Sequence, residues 1–448
     1  MTPAATQRAT TFQLVFMVYT AICGGAYGLE PMISASGPGL ALLLLVLLPI
    51  VWASPMALAC AELSSRLPVE GGYYRWSRGA FGDFVGYMSG FLTWLAMFAT
   101  NALYVVLFVG YLGHWVPELG GGTRFLVGAA LIWACVALNV LGIRLVGSAS
   151  VVMMVLCLLP FVPMTVLGLA RWRFDPTSPL LATGKSLPVA LADGLLVAFW
   201  LYSGYEKLSV LAGEVEEPAR SFPRALAFAV PLSALSYVAP PFAALAAEGD
   251  WAAWGDFHFA RVGAQMGGAA LAGLVVFGGL VSNAGLLLVT MTGQSRLPMV
   301  LADDGLFPRA FARIDPRFGT PVWSLAFGGV VLTLLSAFPF ASLIALYGPV
   351  QAGAYLLIYA ALLRLRERAA EQPGAFRIPL ATARLRLLIA PGILLMLVVV
   401  GLGLGSRLWH DGRLDLDQAL RQAALVAAGP LSYWLFRRIR RAPAALAP

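Results

Sequence analysis

Two stretches carry residue types that could do chemistry. One is Phe199-Trp200-Leu201-Tyr202-Ser203-Gly204-Tyr205-Glu206-Lys207, a carboxylate and an ammonium side by side in an apolar run. Ionisable groups inside such a run are costly and mark function by default. The other is Cys23-Gly24-Gly25-Ala26-Tyr27-Gly28-Leu29-Glu30. Both are interrupted by small residues that favour unwinding, and broken backbone is tolerated at membrane depth only where it lines a protected cavity. An interrupted helix exposes N–H groups at the start of one half and C=O groups at the end of the other. The N–H ends attract an anion such as a carboxylate, and the C=O ends attract an ammonium or a metal ion. A cavity between two breaks therefore suits a molecule carrying an amine, often with a carboxylate as well.

Glu206 is the sharpest candidate. It suits a cationic amine, a coupled proton, or both in alternation, because burial raises a carboxyl pKa and a bound cation lowers it. The plainer alternative is an ion pair with Lys207, but adjacent helical residues point apart. Glu30 and Lys207 each lie just beyond the break of their own half, so a structural Glu30–Lys207 pair is expected, with direct substrate contact by Glu30 as the alternative. Trp200, Tyr27, Tyr202 and Tyr205 are placed to stack on a cation, with Trp200 foremost. Gly24, Gly25, Ala26, Gly28, Ser203 and Gly204 supply backbone to the candidate substrate site. Asn101, Tyr104, Ser282, Asn283, Tyr347 and Gln351 are polar groups at membrane depth that join it. For these, interhelical hydrogen bonding is the competing role.

The elements that must position these residues are membrane helices. The 448-residue chain is 60% hydrophobic and 12% charged, far from soluble composition. Hydropathy marks about twelve spans: 12–34, 39–63, 84–112, 124–141, 146–170, 188–215, 223–247, 267–292, 322–338, 341–363, 387–404 and 419–436. The net charge of +8 is spread over short loops rather than gathered on one face, so nucleic acid is not expected as a partner. The Lys/Arg distribution instead places both termini in the cytoplasm of a multi-pass plasma-membrane protein. No cleavable leader is expected. Trp115, Trp172, Trp251, Trp254 and Trp409 fall at outer ends as an interfacial belt. His114, His258 and His410 are expected as surface residues, and Cys23, Cys60, Cys135 and Cys157 as buried free thiols. No metal-ligand spacing occurs, so neither metal nor cofactor is expected. Without clustered His, Asp or Cys at one interface, an enzyme is not expected either.

Breaks in the first and sixth spans imply a single all-α integral membrane domain over 1–448. It comprises two inverted five-helix halves, 12–170 and 188–364, with two appended helices over 387–438. The motifs agree with a known family. Ala61-Glu62-Leu63 with Pro68 and Gly71-Gly72-Tyr73, Gly213-Glu214 with Pro218 and Pro223, and Asp303-Asp304-Gly305-Leu306-Phe307-Pro308 with Gly319-Thr320-Pro321 resemble signatures of the amino acid–polyamine–organocation (APC) superfamily of permeases. The likeness covers nearly the whole length. Gly24-Gly25-Ala26-Tyr27-Gly28-Leu29-Glu30, Asn101-Ala102-Leu103-Tyr104, Leu211-Ala212-Gly213-Glu214-Val215-Glu216 and Ser282-Asn283 resemble its plant and protozoan polyamine uptake branch. Bacterial amine exchangers of the superfamily also have a glutamate where Glu206 falls and a gating tryptophan where Trp200 falls.

The resemblance implies a LeuT-like 5+5 fold and proton-linked uptake or exchange of amines or amino acids by alternating access. Thr100 stands where an acid is expected in polyamine transporters, and Lys207 where a small neutral residue is usual. A zwitterionic amino acid permease is therefore the alternative, and a non-transporting sensor of the same fold the second. The fifth span holds no lysine to stand in for a sodium ion, but a sodium site would want paired hydroxyls in the eighth span, where Ser282 has only Asn283 beside it, so protons are favoured. Sequence leaves the oligomeric state open.

Overall fold

The computed structural model describes residues 8–368, 375–410, 413–414 and 416–441. Helices joined by loops make up the described residues, with little β structure. Among the described residues the β structure is a two-residue antiparallel pairing of Trp409–His410 with Arg413–Leu414 and one bridge between Ala9 and Val215. In chain order the helices are α1 (Thr11–Ile22), α2 (Glu30–Ser36), α3 (Pro38–Arg66), α4 (Gly72–Phe81), α5 (Asp83–Trp115), α6 (Gly121–Val140) and α7 (Ile143–Ala170). They continue as α8 (Leu187–Leu201), α9 (Pro218–Ala247), α10 (His258–Asp303), α11 (Val322–Leu335), α12 (Phe340–Arg368), α13 (Thr382–Leu408) and α14 (Leu416–Arg441). Eight helices among the described residues are long and apolar enough to cross a membrane, and α1, α8 and α11 are shorter apolar helices. The chain is a multi-pass membrane protein.

Two of those short helices are the interrupted spans. α1 opens on a capping box between Thr10 and Gln13 and stops at Ile22, and α2 does not begin until Glu30. Gly25 (φ 86°) and Gly28 (φ 87°) take left-handed backbone in the gap, where a side chain would be strained. α8 stops at Leu201, Gly204 has φ 124°, and the chain resumes as a short 3-10 turn over Ser209–Glu214.

The centre of the bundle is α5 packed against α10 and α12. α10 changes direction at Gly267–Gly268 and runs past the expected end at Thr292 to Asp303. It stays helical there because its polar residues find partners inside the protein: Gln294 accepts from Asn101 at 2.7 Å, and Arg296 grips Glu214 at 2.9 Å. At the same end of the bundle Arg75 and Arg78 each reach Asp304 at 2.8 Å, and Tyr74 donates to it at 2.6 Å. Glu62 takes both arms of the buried Arg366 guanidinium.

Two surface expectations need correction. His258 is buried, stacked on Trp254 at 4.9 Å with Nε2 3.3 Å from Glu248. Trp254 is buried rather than part of a belt, stacked on His258 and edge-on to Phe259 at 5.5 Å. Trp115 and Trp172 are exposed, as is His114. The side chains of Trp409 and His410 lie outside the described residues. All four cysteines are buried and free.

Candidate functional site

The two breaks lie beside one another, a Cβ on Gly204 falling 2.9 Å from the Ala21 carbonyl oxygen, and α9 and α10 support the first of them. Ser282 donates its hydroxyl to the Gly24 carbonyl, and Tyr237 donates to the Ile22 carbonyl at 3.0 Å. The carbonyl end of α1 is thus partly satisfied by α9 and α10. A Cβ on Gly24 would stand 2.2 Å from Ser282 Oγ and 2.5 Å from Leu286 Cδ1, so only glycine allows this approach. Tyr27 donates to the Val275 carbonyl at 3.1 Å.

Between the breaks lies a small cavity. Gly24, Gly25, Tyr27, Tyr104, Trp200, Ser282 and Asn283 line it, all expected from sequence; Ile22, Leu201, Tyr237 and Leu286 complete it. At about 10 Å³ it has room for about one water. The bundle is therefore closed around the breaks. Trp200 is held over the cavity by its Nε1, which donates to Thr100 Oγ1 at 2.8 Å. Its ring lies 6.1 Å from Tyr104 and meets Phe340 edge-on at 5.8 Å. Asn283 donates to the Gly279 carbonyl at 2.8 Å, while its own oxygen has no protein partner among the described residues.

A second polar cluster lies past the α8 break. Glu206 is fully buried, and one carboxylate oxygen accepts from Gln351 Nε2 at 3.0 Å. The other oxygen, the Gln351 oxygen and the Tyr347 hydroxyl have no hydrogen-bond partner among the described residues. Tyr355, one turn beyond Gln351 on α12, accepts from the Gly204 N–H at 2.8 Å and so caps the broken backbone. Ser203 turns back to the Phe199 carbonyl at 2.5 Å.

Other expected site residues meet partners inside the protein and do not line the small cavity. Asn101 bridges α5 to α10, donating to Gln294 and accepting from Thr290. Tyr202 donates to the Leu45 carbonyl at 2.6 Å and stacks edge-on against Tyr237 at 5.1 Å. Tyr205 packs near Trp52 at 6.2 Å, and Ala26 is buried away from the cavity.

Glu30 and Lys207 do not form the expected pair. Glu30 accepts from the Gly28 N–H at 2.7 Å and from the Tyr111 hydroxyl. It therefore fills with the chain's own carboxylate one anion place that the break creates. Tyr111 packs on Gly279, whereas the Lys207 carbonyl packs on Gly293. These two glycines are fourteen residues apart on α10, about 21 Å along its axis. Lying beyond the break sends each residue toward the opposite end of the bundle, because α1–α2 and α8 run antiparallel. The Lys207 stem instead folds beside Gly204, its Cδ and Cε 3.3 Å from where a Cβ there would sit.

Thr100, Tyr111, Tyr237 and Tyr355 are the residues sequence reasoning passed over as partners. Only Tyr355 had a legible signal, the i, i+4 spacing from Gln351.

The comparisons with known proteins agree with this architecture. The sequence model of the family described as Amino acid permease matches residues 10–409. Polyamine transporter PUT1 of Oryza sativa subsp. japonica is 32% identical over 402 residues, covering 89% of this chain and 75% of that protein. Polyamine transporter RMV1 of Arabidopsis thaliana is 31% identical over 396 residues, covering 88% and 80%. An uncharacterized transporter of Legionella pneumophila, lpg1691, is 28% identical over 381 residues, covering 78% and 80%. With the match spanning both helix breaks and the bundle around them, the chain belongs to the amino acid permease family of membrane transporters within the APC superfamily.

Proposed function

We propose that the protein is a secondary transporter that moves small amines or polyamines across the plasma membrane by alternating access, coupled to protons or by exchange. The observation that carries the reading is the cluster past the α8 break. A buried carboxylate oxygen of Glu206 and the Gln351 oxygen are acceptors without donors, and the Tyr347 hydroxyl beside them is unpaired. Buried acceptors left unpaired are costly, and an ammonium brings three donors and a charge. The names of the plant relatives support an amine substrate. So does Glu30: its hold on the Gly28 N–H leaves less of that break for a substrate carboxylate.

In this reading the small cavity under Trp200 is the collapsed, closed form of the substrate site, and Glu206 takes the amine, the proton, or each in turn. The end of the bundle carrying Arg75, Arg296 and Asp304 faces the cytoplasm, with both termini. The halves 12–170 and 188–364 form the inverted 5+5 repeat, with 387–438 appended to make about twelve spans. Protons are the coupling ion.

A zwitterionic amino acid is the second reading. What favours it is the ammonium of Lys207 beside Glu206, which disfavours a second positive charge.

The test is uptake of radiolabelled putrescine, agmatine, arginine and alanine into proteoliposomes under an imposed pH gradient, with and without sodium. Accumulation of the amines that collapses with the pH gradient and ignores sodium is expected. Accumulation of alanine alone would select the second reading. Binding without accumulation of any of the four would make the protein a sensor and overturn transport.

A further inference from the structure

A larger cavity opens at the end of the bundle where α5 stops and α10 starts. Its volume is about 530 Å³, within the range of small-molecule sites. The α5 wall is aliphatic; in the rest Phe125, Phe257, Phe338 and Phe340 stand among small residues, and Asp256 and Arg124 supply the charge. Arg124 donates Nε to the Leu119 carbonyl at 3.1 Å and keeps its positive charge in the wall, but it makes no ion pair with Asp256 among the described residues. Asp256 makes no ion pair or side-chain hydrogen bond among the described residues, and burial pushes its carboxyl up. A carboxylate set among phenyl rings at a cavity wall is a recognition surface for an organic cation: the charge answers the ammonium, and the ring faces answer both charge and hydrocarbon.

The wall of this cavity also adjoins the central site. Phe340, in its wall, packs edge-on against Trp200 at 5.8 Å, and Trp200 lines the central cavity. Phe257 packs on Tyr111 at 4.9 Å, and the Tyr111 hydroxyl holds Glu30. A second carboxylate therefore lies one layer beneath the first. The Phe257 ring reaches this position because α5 has no side chain at Gly110, where a Cβ would fall 1.9 Å from the ring.

We propose that this cavity is a vestibule site for small organic ammonium ions, with Asp256 taking the ammonium and the phenyl rings the hydrocarbon. From it the ligand passes beneath Phe340 and Trp200 to the central site. The passage inward rests on the transporter reading; binding in the vestibule does not.

The test uses a reporter thiol in the wall. Ala337 lines the cavity and is exposed, and all four native cysteines are buried, so Ala337→Cys adds one reactive position. In nanodiscs, labelling of this thiol is timed with a cationic and with an anionic methanethiosulfonate reagent, with and without putrescine. With Asp256 present, the cationic reagent reacts faster by about fivefold or more, as expected beside an unneutralised carboxylate, and putrescine slows it. Asp256→Asn removes both effects and Asp256→Glu keeps them. Putrescine protection must also persist in Glu206→Gln, which separates the vestibule from occupancy of the central site. Absence of charge preference or protection with Asp256 present, protection undiminished in Asp256→Asn, or protection lost in Glu206→Gln overturns the proposal. Protection without any proteoliposome uptake of putrescine keeps the vestibule and rejects polyamine transport.

Discussion

Gln351 on α12 donates its side-chain amide to one oxygen of Glu206 at 3.0 Å, and the second oxygen of that carboxylate meets no donor among the described residues. The pair joins the break after α8 to α12, so a ligand bound to the free oxygen would be felt by both elements. Because the carboxylate is buried and half-satisfied, changing its charge alters more than a contact.

Glu206→Gln keeps size and hydrogen bonding but removes the titratable charge, and the protein should fold. If Glu206 holds the substrate amine, putrescine binding weakens by more than tenfold, about 1.4 kcal/mol, since the lost bond is charge-assisted. If it carries only the proton, binding persists and exchange continues while pH-driven accumulation disappears. Unchanged binding together with unchanged pH-driven accumulation would clear Glu206 of both roles.

Glu30 and Lys207 should act independently. They lie about 20 Å apart along the bundle, so the stability losses of Glu30→Gln and Lys207→Ala should add to within about 0.3–0.5 kcal/mol. Glu30→Gln combined with Tyr111→Phe should instead cost less than the sum of the single changes, because those two side chains share a hydrogen bond. Thermal melting in detergent reads both cycles. Rescue of Lys207→Ala by Glu30→Gln would mean the pair forms after all.

Gly24→Ala should damage the α1 break. The added methyl meets Ser282 Oγ and Leu286 Cδ1 at 2.2 and 2.5 Å, an overpacking that costs about 1–3 kcal/mol. Combining it with Leu286→Ala should recover part of the melting temperature. A Gly24→Ala protein that melts and transports like wild type would show that the close approach to α10 is not required.

Thr100→Val retains shape and removes the acceptor that holds Trp200 Nε1, a loss of about 1 kcal/mol from the closed form. Substrate counterflow should accelerate and Trp200 should become easier to displace. An unchanged counterflow rate would mean that Trp200 is held by its rings, through Tyr104 and Phe340, and not by its hydrogen bond.

Glu62 and Arg366 form a buried, two-pronged pair that also gathers the Ile378 N–H and the carbonyls of Ile378 and Leu380. Removing Arg366 alone, as Arg366→Ala, strands a buried carboxylate and should cost about 3–5 kcal/mol. Recovery of folded protein in Glu62→Ala/Arg366→Ala relative to Arg366→Ala is the expected outcome, read by size-exclusion yield. Equal losses in both would leave the pair without a structural role.

The amino-acid sequence by itself determined the membrane class, the position of both helix breaks and the family. These depend on local composition: apolar runs long enough to span, glycines that permit positive φ, and motifs read in order. It also named seven of the residues around the small cavity, because polar groups at the level of a break have few other places to go. The tertiary structure alone decided what each polar side chain meets. Asn101 and Asn283 look alike in an apolar run, yet one is spent bridging α5 to α10 and the other faces the cavity. His258 follows a polar stretch of sequence but is buried at the start of α10, because it stacks on Trp254 and meets Glu248. Glu30 and Lys207 occupy matching places after their breaks, and only the opposed directions of the two interrupted spans separate them. A side chain's partner depends on the rotation and direction of the helix that carries it against its neighbours, and no single stretch of sequence contains either.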